Sequence, residues 1–231
     1  MTRVDKSTLT KLQIVRAATR LFLEKGYSAT TFKMLAAALG MSPGNITFHF
    51  PTKEHLLAEL NGLLCRFQWQ RMDQRAAEGV STTKSLAMEI AAVVAACEED
   101  LAVRDLYLAA YRSPICMAII RRNNIAQVKE SFGKGLPLWT QEQFDAAEML
   151  AAGVLYGALM TDSSVIPLKT RVVATLDAVL AIYGLPAATR REEVAHAKTL
   201  DFLRLGQQII EDFRTFAEED SAQTLWNLVN T

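Results

Sequence analysis

Apolar residues recur at helical spacing through most of the chain. The first helix is predicted at 9–25, and its apolar face is made by five residues: Ile14, Ala17, Ala18, Leu21 and Phe22. A second helix, short and apolar, is predicted at 32–39, with Thr31 as its N-cap and Gly40 where a helix end favours a left-handed residue. No stretch of useful length alternates as a half-buried strand does, so the pattern predicts an all-α protein.

The most specific local signal is the turn after the second helix. Gly40 is followed closely by Ser42, which can cap a new helix, and by Pro43, whose missing N–H does no harm at a first helical position. In this third helix Ile46 and Phe50 lie four residues apart and are expected to face inward. This order is typical of a helix-turn-helix, whose second helix enters the DNA major groove. The positions left facing outward are Pro43, Gly44, Asn45, Thr47, Phe48 and His49.

Every later segment again predicts helix. The predicted ranges are 53–75, 83–98, 101–112, 115–132, 140–161, 168–183 and 190–217, with breaks near Gly79, Ser113-Pro114, 133–137, Pro167 and 184–186. We therefore predict a three-helix DNA-binding domain at 1–52 and a larger helical domain at 53–231, bridged by the helix that begins at residue 53.

Charge is distributed unevenly although the formal net charge is zero. Residues 1–53 hold eight Lys and Arg against two acids, and the rest of the chain holds 17 basic and 23 acidic side chains. A basic head on an acidic body is typical of a polyanion-binding module joined to a second domain. Chance clustering of solvated charges is the alternative interpretation.

Other classes of protein find little support in the sequence. The three cysteines Cys65, Cys97 and Cys116 have no partner at metal-ligand spacing and are expected to be reduced structural thiols. The start of the chain has no apolar signal core, and the longest uncharged apolar run, 149–160, is too short to span a bilayer, so we expect a cytoplasmic protein. No paired carboxylates, activated nucleophile or phosphate loop is recognisable, so we assign no enzyme activity, catalytic residue, metal or cofactor.

The N-terminal region resembles the DNA-binding region of the TetR family of bacterial transcriptional regulators. The resemblance covers about a fifth of the chain, and two positions depart from the family pattern: Thr47 stands where Tyr is usual, and Phe48 is aromatic where polar residues are common. The positions that fall in register are Ile14, Ala17, Ala18, Leu21, Phe22, Gly26, Tyr27, Thr30, Thr31, Leu39, Gly40, Ser42, Gly44, Phe50, Lys53, Glu54 and Leu56.

The resemblance implies a set of DNA contacts. Bases are expected to meet Lys33, Asn45 and Thr47, and Lys53 is expected at a phosphate. The implied partner is double-stranded DNA with a palindromic operator, bound by a homodimer because one short helix reads only a few base pairs. The complete expected DNA site is Thr31, Lys33, Pro43, Gly44, Asn45, Thr47, Phe48, His49 and Lys53.

The resemblance also implies that the larger domain binds an effector and dimerises. Gly153 and Gly157 lie four apart on one helix, and such small residues permit close crossing with a partner helix, although packing within the chain is the alternative. We expect the helices at 140–161 and 168–183 to pair with their copies as a four-helix bundle. Large aromatic, sulfur and polar side chains suit a pocket for an apolar or aromatic effector, with ordinary core packing as the alternative for each of them: Trp69, Met72, Met88, Arg104, Tyr107, Tyr111, Met117, Trp139, Phe144 and Tyr156.

The preferred hypothesis is a homodimeric, ligand-responsive repressor whose fourth helix transmits the effector signal to the DNA-binding head. An architectural DNA-binding protein without switching is one alternative, and it would bind DNA without ligand release. A helical ligand carrier with a vestigial head is the other, and it would bind ligand without preferring any DNA sequence.

Overall fold

The computed structural model describes residues 6–132 and 139–230, with side chains described as far as residue 219. The described residues are almost entirely helical and contain no strand, which confirms the all-α prediction. Their eleven helices are α1 (Lys6–Lys25), α2 (Phe32–Leu39), α3 (Pro43–His49), α4 (Lys53–Ala77), α5 (Thr82–Glu99), α6 (Leu101–Arg112), α7 (Pro114–Phe132), α8 (Gln141–Met160), α9 (Leu168–Ile182), α10 (Ala187–Ala197) and α11 (Phe202–Asn230).

The head, α1 to α3, is built by the capping signals that the sequence contains. The Thr31 hydroxyl accepts a hydrogen bond from the backbone N–H of Met34 at 3.3 Å and caps α2. Gly40 ends α2 with φ of 63°, a left-handed conformation in which a Cβ would be strained. The Ser42 hydroxyl then accepts from the backbone N–H of Asn45 at 3.2 Å and begins α3. These contacts fix the angle between the two helices of the turn.

One hydrophobic core runs without interruption from the head into the body. Ile14, Leu35 and Ile46 are fully buried in the head, and the same cluster continues through Leu56 on α4 and Leu106 on α6. Helix α4 contributes to the core of both parts and so connects the head to the body.

Helix α5 lies at the centre of the body. Its residues 85–97 are buried apart from Met88, which is half-buried. At Gly206 of α11, a Cβ would lie 2.8 Å from the carbonyl carbon of Ala95, so the two helices cross in backbone contact. A second hydrophobic cluster fills the far side of α5, against α7, α8 and α9.

The prediction of one helix over 190–217 is wrong. Helix α10 ends at Ala197 and α11 begins at Phe202. In the turn between them the Thr199 hydroxyl donates to the carbonyl of His196 at 2.7 Å, and an Asp201 carboxylate oxygen accepts from the backbone N–H of Arg204 at 3.1 Å. These polar side chains satisfy the backbone groups of two helix ends, which a reading of apolar spacing alone overlooks. The break predicted at 133–137 lies outside the described residues.

Candidate DNA-binding surface and ligand cavity

Helix α3 is held by its apolar side and presents the rest of its surface to solvent. Ile46 is fully buried and Phe50, just past the helix, is buried beside it. Phe48 is 79% exposed, and its ring meets the His49 ring edge-on with centroids 5.1 Å apart. Pro43, Gly44 and Thr47 are exposed, and Asn45 and His49 are half-buried. The face predicted from the sequence to meet DNA is therefore the accessible one.

The polar side chains of this surface differ in whether they already form hydrogen bonds within the chain. The Thr47 hydroxyl donates to the carbonyl of Gly44 at 3.0 Å, and the Thr31 hydroxyl is occupied as the cap of α2. The side chains of Lys33 and Asn45 form no hydrogen bond or ion pair with any described residue. Lys33 and Asn45 can therefore contact DNA without breaking an internal contact.

The Lys53 ammonium is partly engaged inside the head. It donates to the carbonyls of Tyr27 at 2.7 Å and Thr30 at 2.9 Å, and it lies 4.2 Å from the centre of the Tyr27 ring. Burial lowers the pKa of Lys53, an effect that the nearby Asp105 carboxylate opposes. An ammonium has three donors, so one remains for a phosphate. Lys53 thus ties the start of α4 to the α1–α2 loop.

Asp105 of α6 holds the same loop from the side of the body. One carboxylate oxygen accepts from the Ser28 backbone N–H at 2.6 Å, and the other accepts from the Ser28 hydroxyl at 2.6 Å. Gly26 has φ of 87°, and a Cβ there would lie 2.8 Å from the Asp105 carboxylate. Glycine is favoured here because other residues rarely adopt this backbone conformation and because a Cβ would displace the Asp105 carboxylate. The α1–α2 loop is therefore fixed to both α4 and α6.

A cavity of about 110 Å³ lies in the body among α4, α5, α6, α7, α8 and α9. Its apolar lining is Leu64, Leu86, Ile90, Val93, Ile120, Val128, Ala151, Ala152, Leu155 and Val179. Its polar lining is Asn61, Cys65, Gln68, Glu89, Tyr107, Tyr111, Asn123, Asn124, Gln127 and Tyr183. The lining residues are equally divided, but the surface of the wall is mostly apolar, with several convergent polar groups, which is the usual composition of a small-molecule site.

Three of the polar lining residues carry a buried atom that is unpaired within the described chain. These atoms are Nδ2 of Asn61, Oε2 of Glu89 and Nε2 of Gln127. The other Glu89 oxygen, Oε1, accepts from Nε of Arg71 at 2.9 Å and from Nη1 of Arg75 at 2.5 Å. The Glu89 charge is thus compensated from one side, and its second oxygen remains an acceptor without a donor.

The remaining titratable groups of the cavity are neutral at physiological pH. Burial, as the largest cause, raises the pKa of Tyr107, Tyr111 and Tyr183, and no described residue forms a hydrogen bond to their hydroxyls. Burial also raises the pKa of the Cys65 thiol to about 11. The three phenols therefore keep their protons and can donate or accept hydrogen bonds.

Of the ten side chains predicted for the pocket, Tyr107 and Tyr111 line the cavity and eight lie elsewhere. Trp69 lies behind the lining, where its Nε1 donates to Oδ1 of Asn123 at 2.9 Å. Arg104 donates to the carbonyls of Leu159 and Met160, each at 2.8 Å. The other six are Met72, Met88, Met117, Trp139, Phe144 and Tyr156.

The amide side chains of the cavity are not among the residues predicted from the sequence, because that prediction relied on large aromatic and sulfur-containing groups. Asn61, Cys65 and Gln68 share one face of α4 at spacings of four and three residues, and Asn123 and Gln127 lie four apart on α7. Polar residues that recur on the inward face of a helix were the available signal.

One face of α8 is uncovered. Gly153 and Gly157 are exposed, and apart from the backbone of α8 itself no described atom lies within 4 Å of a Cβ built on either. These glycines therefore do not serve close packing against another described helix. Met149, Leu150 and Met160 are large apolar side chains left roughly half-exposed on the same helix. Apolar exposure of this kind is typical of a protein–protein contact surface.

The described part of the chain offers little for other chemistry. None of its helices is long and apolar enough to cross a membrane. Within 6–132 and 139–219, no group of three or more His, Cys, Asp or Glu side chains could hold a metal ion. Cys65, Cys97 and Cys116 are free thiols.

Comparison with known proteins shows which family the head is similar to. Residues 14–60 match the family model of bacterial regulatory proteins, tetR family. The uncharacterised HTH-type transcriptional regulator YerO of Bacillus subtilis (strain 168) is 43% identical over 47 residues, which are 20% of this chain and 16% of YerO.

Among solved structures, RolR in complex with resorcinol superposes with a TM-score of 0.64 over 84% of this chain and 96% of RolR, at 19% identity. GusR of Salmonella enterica superposes with a TM-score of 0.49 over 79% of this chain and 99% of GusR, at 22% identity. The likeness to RolR extends the shared fold from the head to the helical body. In its helix-turn-helix region, residues 14–60, this chain is similar to the tetR family of bacterial regulatory proteins.

Proposed function

We propose that this protein is a sequence-specific, DNA-binding transcriptional regulator, and that it acts as a homodimeric repressor on a palindromic operator. The observation that carries the proposal is the exposed polar face of α3, presented beyond a capped three-residue turn in a basic head. Lys33 and Asn45 supply unengaged polar groups for base edges, and Lys53 retains one donor for a phosphate. A site of this kind needs no enzyme chemistry, and we expect a cytoplasmic location.

A homodimer would account for the two-fold symmetry of a palindromic operator. The uncovered face of α8 is suited to a second copy, because Gly153 and Gly157 allow a partner helix to approach closely and Met149 and Leu150 surround them with apolar surface. We propose that α8 and α9 pair with their copies as a four-helix bundle. Two heads related by a two-fold axis then read two half-sites in successive major grooves.

A small effector in the cavity would control the heads. Tyr107 and Tyr111 on α6 line the cavity, and Asp105 on the same helix binds the α1–α2 loop of the head. A ligand that moves α6 would therefore move the head, and α4 would contribute through Lys53. RolR, which shares the fold, has been solved with resorcinol. Decisive release from DNA requires an effector that binds the non-binding conformation about 10²-fold or more tightly than the other.

The test is selection of random DNA duplexes by the purified protein at low salt, followed by sequencing. We expect enrichment of a palindromic consensus, and loss of that enrichment when Asn45→Ala and Thr47→Ala are combined. Gln70→Ala, an exposed amide change on α4, is the matched control and should leave the consensus intact. A folded wild-type protein that enriches no sequence would contradict the proposal.

The two alternatives predict different results in the same preparation. An architectural protein would enrich DNA but keep the same affinity in the presence of every ligand that binds it. A ligand carrier would bind ligand and show no sequence preference. The described cavity favours the switching regulator over the architectural protein, because a filled body would leave no volume for an effector.

A further inference from the structure

The cavity lining leaves more polar atoms unpaired than a packed interior normally contains. Two amide N–H groups, on Asn61 and Gln127, and one carboxylate oxygen, on Glu89, are buried without a partner among the residues described. Nearly all buried polar atoms in native proteins are hydrogen-bonded, and each exception calls for an explanation. All three residues line the same cavity, and rotation of their side chains would turn these atoms toward a ligand there, although the Asn61 side chain also interacts with the Cys116 thiol.

The charges around the cavity select against an ionised ligand. No Lys, Arg or His belongs to the lining formed by described residues, so a carboxylate or phosphate would be buried without a counter-charge. The one charged lining residue, Glu89, already receives Arg71 and Arg75, so an ammonium group would meet a carboxylate whose charge is compensated. A neutral ligand avoids both penalties.

The volume of the cavity and its unpaired polar atoms narrow the chemical class of the ligand further. An engineered apolar cavity of about 150 Å³ in another protein holds benzene, so a cavity of about 110 Å³ fits a single ring with few substituents after modest adjustment of its walls. The unpaired oxygen of Glu89 requires an O–H or N–H donor on the ligand. The unpaired amides of Asn61 and Gln127 require an oxygen or nitrogen acceptor.

We propose that the cavity binds a neutral, monocyclic, hydroxyl-bearing aromatic compound, that is, a simple phenol. Its hydroxyl group donates to the free Glu89 oxygen and accepts from the amide of Asn61 or Gln127, while Tyr107 and Tyr111 enclose the ring. This proposal rests on the proposed function, because it names the chemical class of the effector.

The test measures binding to the full-length protein by isothermal titration calorimetry in the absence of DNA. The probes are phenol and hydroquinone, with benzene, benzoate and benzylamine as matched compounds that lack the hydroxyl group or carry a charge at neutral pH. We expect both phenols to bind at least about tenfold more tightly than each of the other three. Equal or tighter binding of benzoate or benzylamine would overturn the proposal, as would failure of both phenols to bind.

Variants of the unpaired amides provide a second measurement. Gln127→Leu and Asn61→Leu keep similar volume and remove groups that have an unpaired donor, so the protein should fold and melt at the same or a higher temperature. Phenol affinity should fall about tenfold in each. Gln207→Leu changes an exposed glutamine on α11 and should leave phenol affinity unchanged. Unchanged phenol affinity in both cavity variants would place the ligand elsewhere and overturn the proposal.

Binding and switching are measured separately, so their failures can be told apart. If the phenols bind with the expected selectivity but do not change affinity for the selected operator, the ligand class stands and the switching part of the proposed function fails. If a charged effector releases the operator while the phenols do not bind, the switching function stands and the ligand class is wrong.

Discussion

The contact between Asp105 and Ser28 should control how firmly the head is held to the body. Asp105→Ala removes two short hydrogen bonds, one to the Ser28 N–H and one to the Ser28 hydroxyl, both at 2.6 Å. Hydrogen bonds to a charged group contribute about 1.5–3 kcal/mol each when buried. This pair is solvent-exposed, so a smaller combined loss of about 1–3 kcal/mol is expected.

Native-state hydrogen exchange at the Ser28 amide measures this loss directly. A reduction of about 1–3 kcal/mol in the free energy of local opening accelerates exchange about 5- to 150-fold. Amides at the centre of α5 should be much less affected, because they are protected by the packing of the whole body. Thermal unfolding should shift only slightly, since the Asp105 side chain is only partly buried.

Ser28→Ala is the matched control because it removes the hydroxyl donor and keeps the backbone bond. Its exchange should accelerate less than that of Asp105→Ala, and the double variant should resemble Asp105→Ala, since the two groups interact with each other. If the Ser28 amide exchanges at the same rate in Asp105→Ala and wild type, this carboxylate does not hold the head, and transmission from the cavity through α6 loses its physical basis.

Three further predictions concern assembly, DNA affinity and pH. Gly157→Glu should give a folded monomer by sedimentation, because no described residue outside the backbone of α8 packs against this position. Ala126→Glu, at an exposed position on α7, should remain dimeric, and a dimeric Gly157→Glu would refute the α8 interface. Lys53→Met should lower the slope of log affinity against log salt by about 0.9 per protomer, and an unchanged slope would mean that Lys53 neutralises no phosphate. The folded-state pKa of Tyr111 lies above its ordinary value of 10.0, so its contribution to stability persists below pH 10 and is lost as pH rises further. In urea unfolding above pH 10, Tyr111→Phe should therefore reduce the decline of stability by about 1.4 kcal/mol per pH unit, and an identical decline would place this phenol in water.

The head could be predicted closely because its signals are local. Thr31, Gly40, Ser42 and Pro43 each act within a few residues of their own position, so a single sequence contains the information that sets α2 and α3. The inward positions of Ile46 and Phe50 followed from helical spacing for the same reason. At Asp201, by contrast, a new helix begins because a side chain caps it. Apolar spacing alone therefore predicted one continuous helix in place of α10 and α11.

The cavity could not be predicted to the same degree because it depends on contacts between distant segments. Trp69 and Arg104 have the chemistry of pocket residues, but the fold directs Trp69 to Asn123 and Arg104 to backbone carbonyls of α8. Asn61 and Gln127 are separated by more than sixty residues and come together only through the packing of α4 against α7. Lys53 is a related case, since its contacts with Tyr27 and Thr30 are decided by the path of the α1–α2 loop.

The burial of α5 limits how this helix can be displaced. At Gly206 the backbones of α5 and α11 are in contact, so α5 cannot rotate or slide without displacing α11 as well. A ligand in the cavity would contact α5 through Glu89 and Ile90, and it would also contact α6, which has one side on the cavity and one on the head. If an effector in the cavity displaces the head, we therefore expect α6 to move while α5 stays in contact with α11.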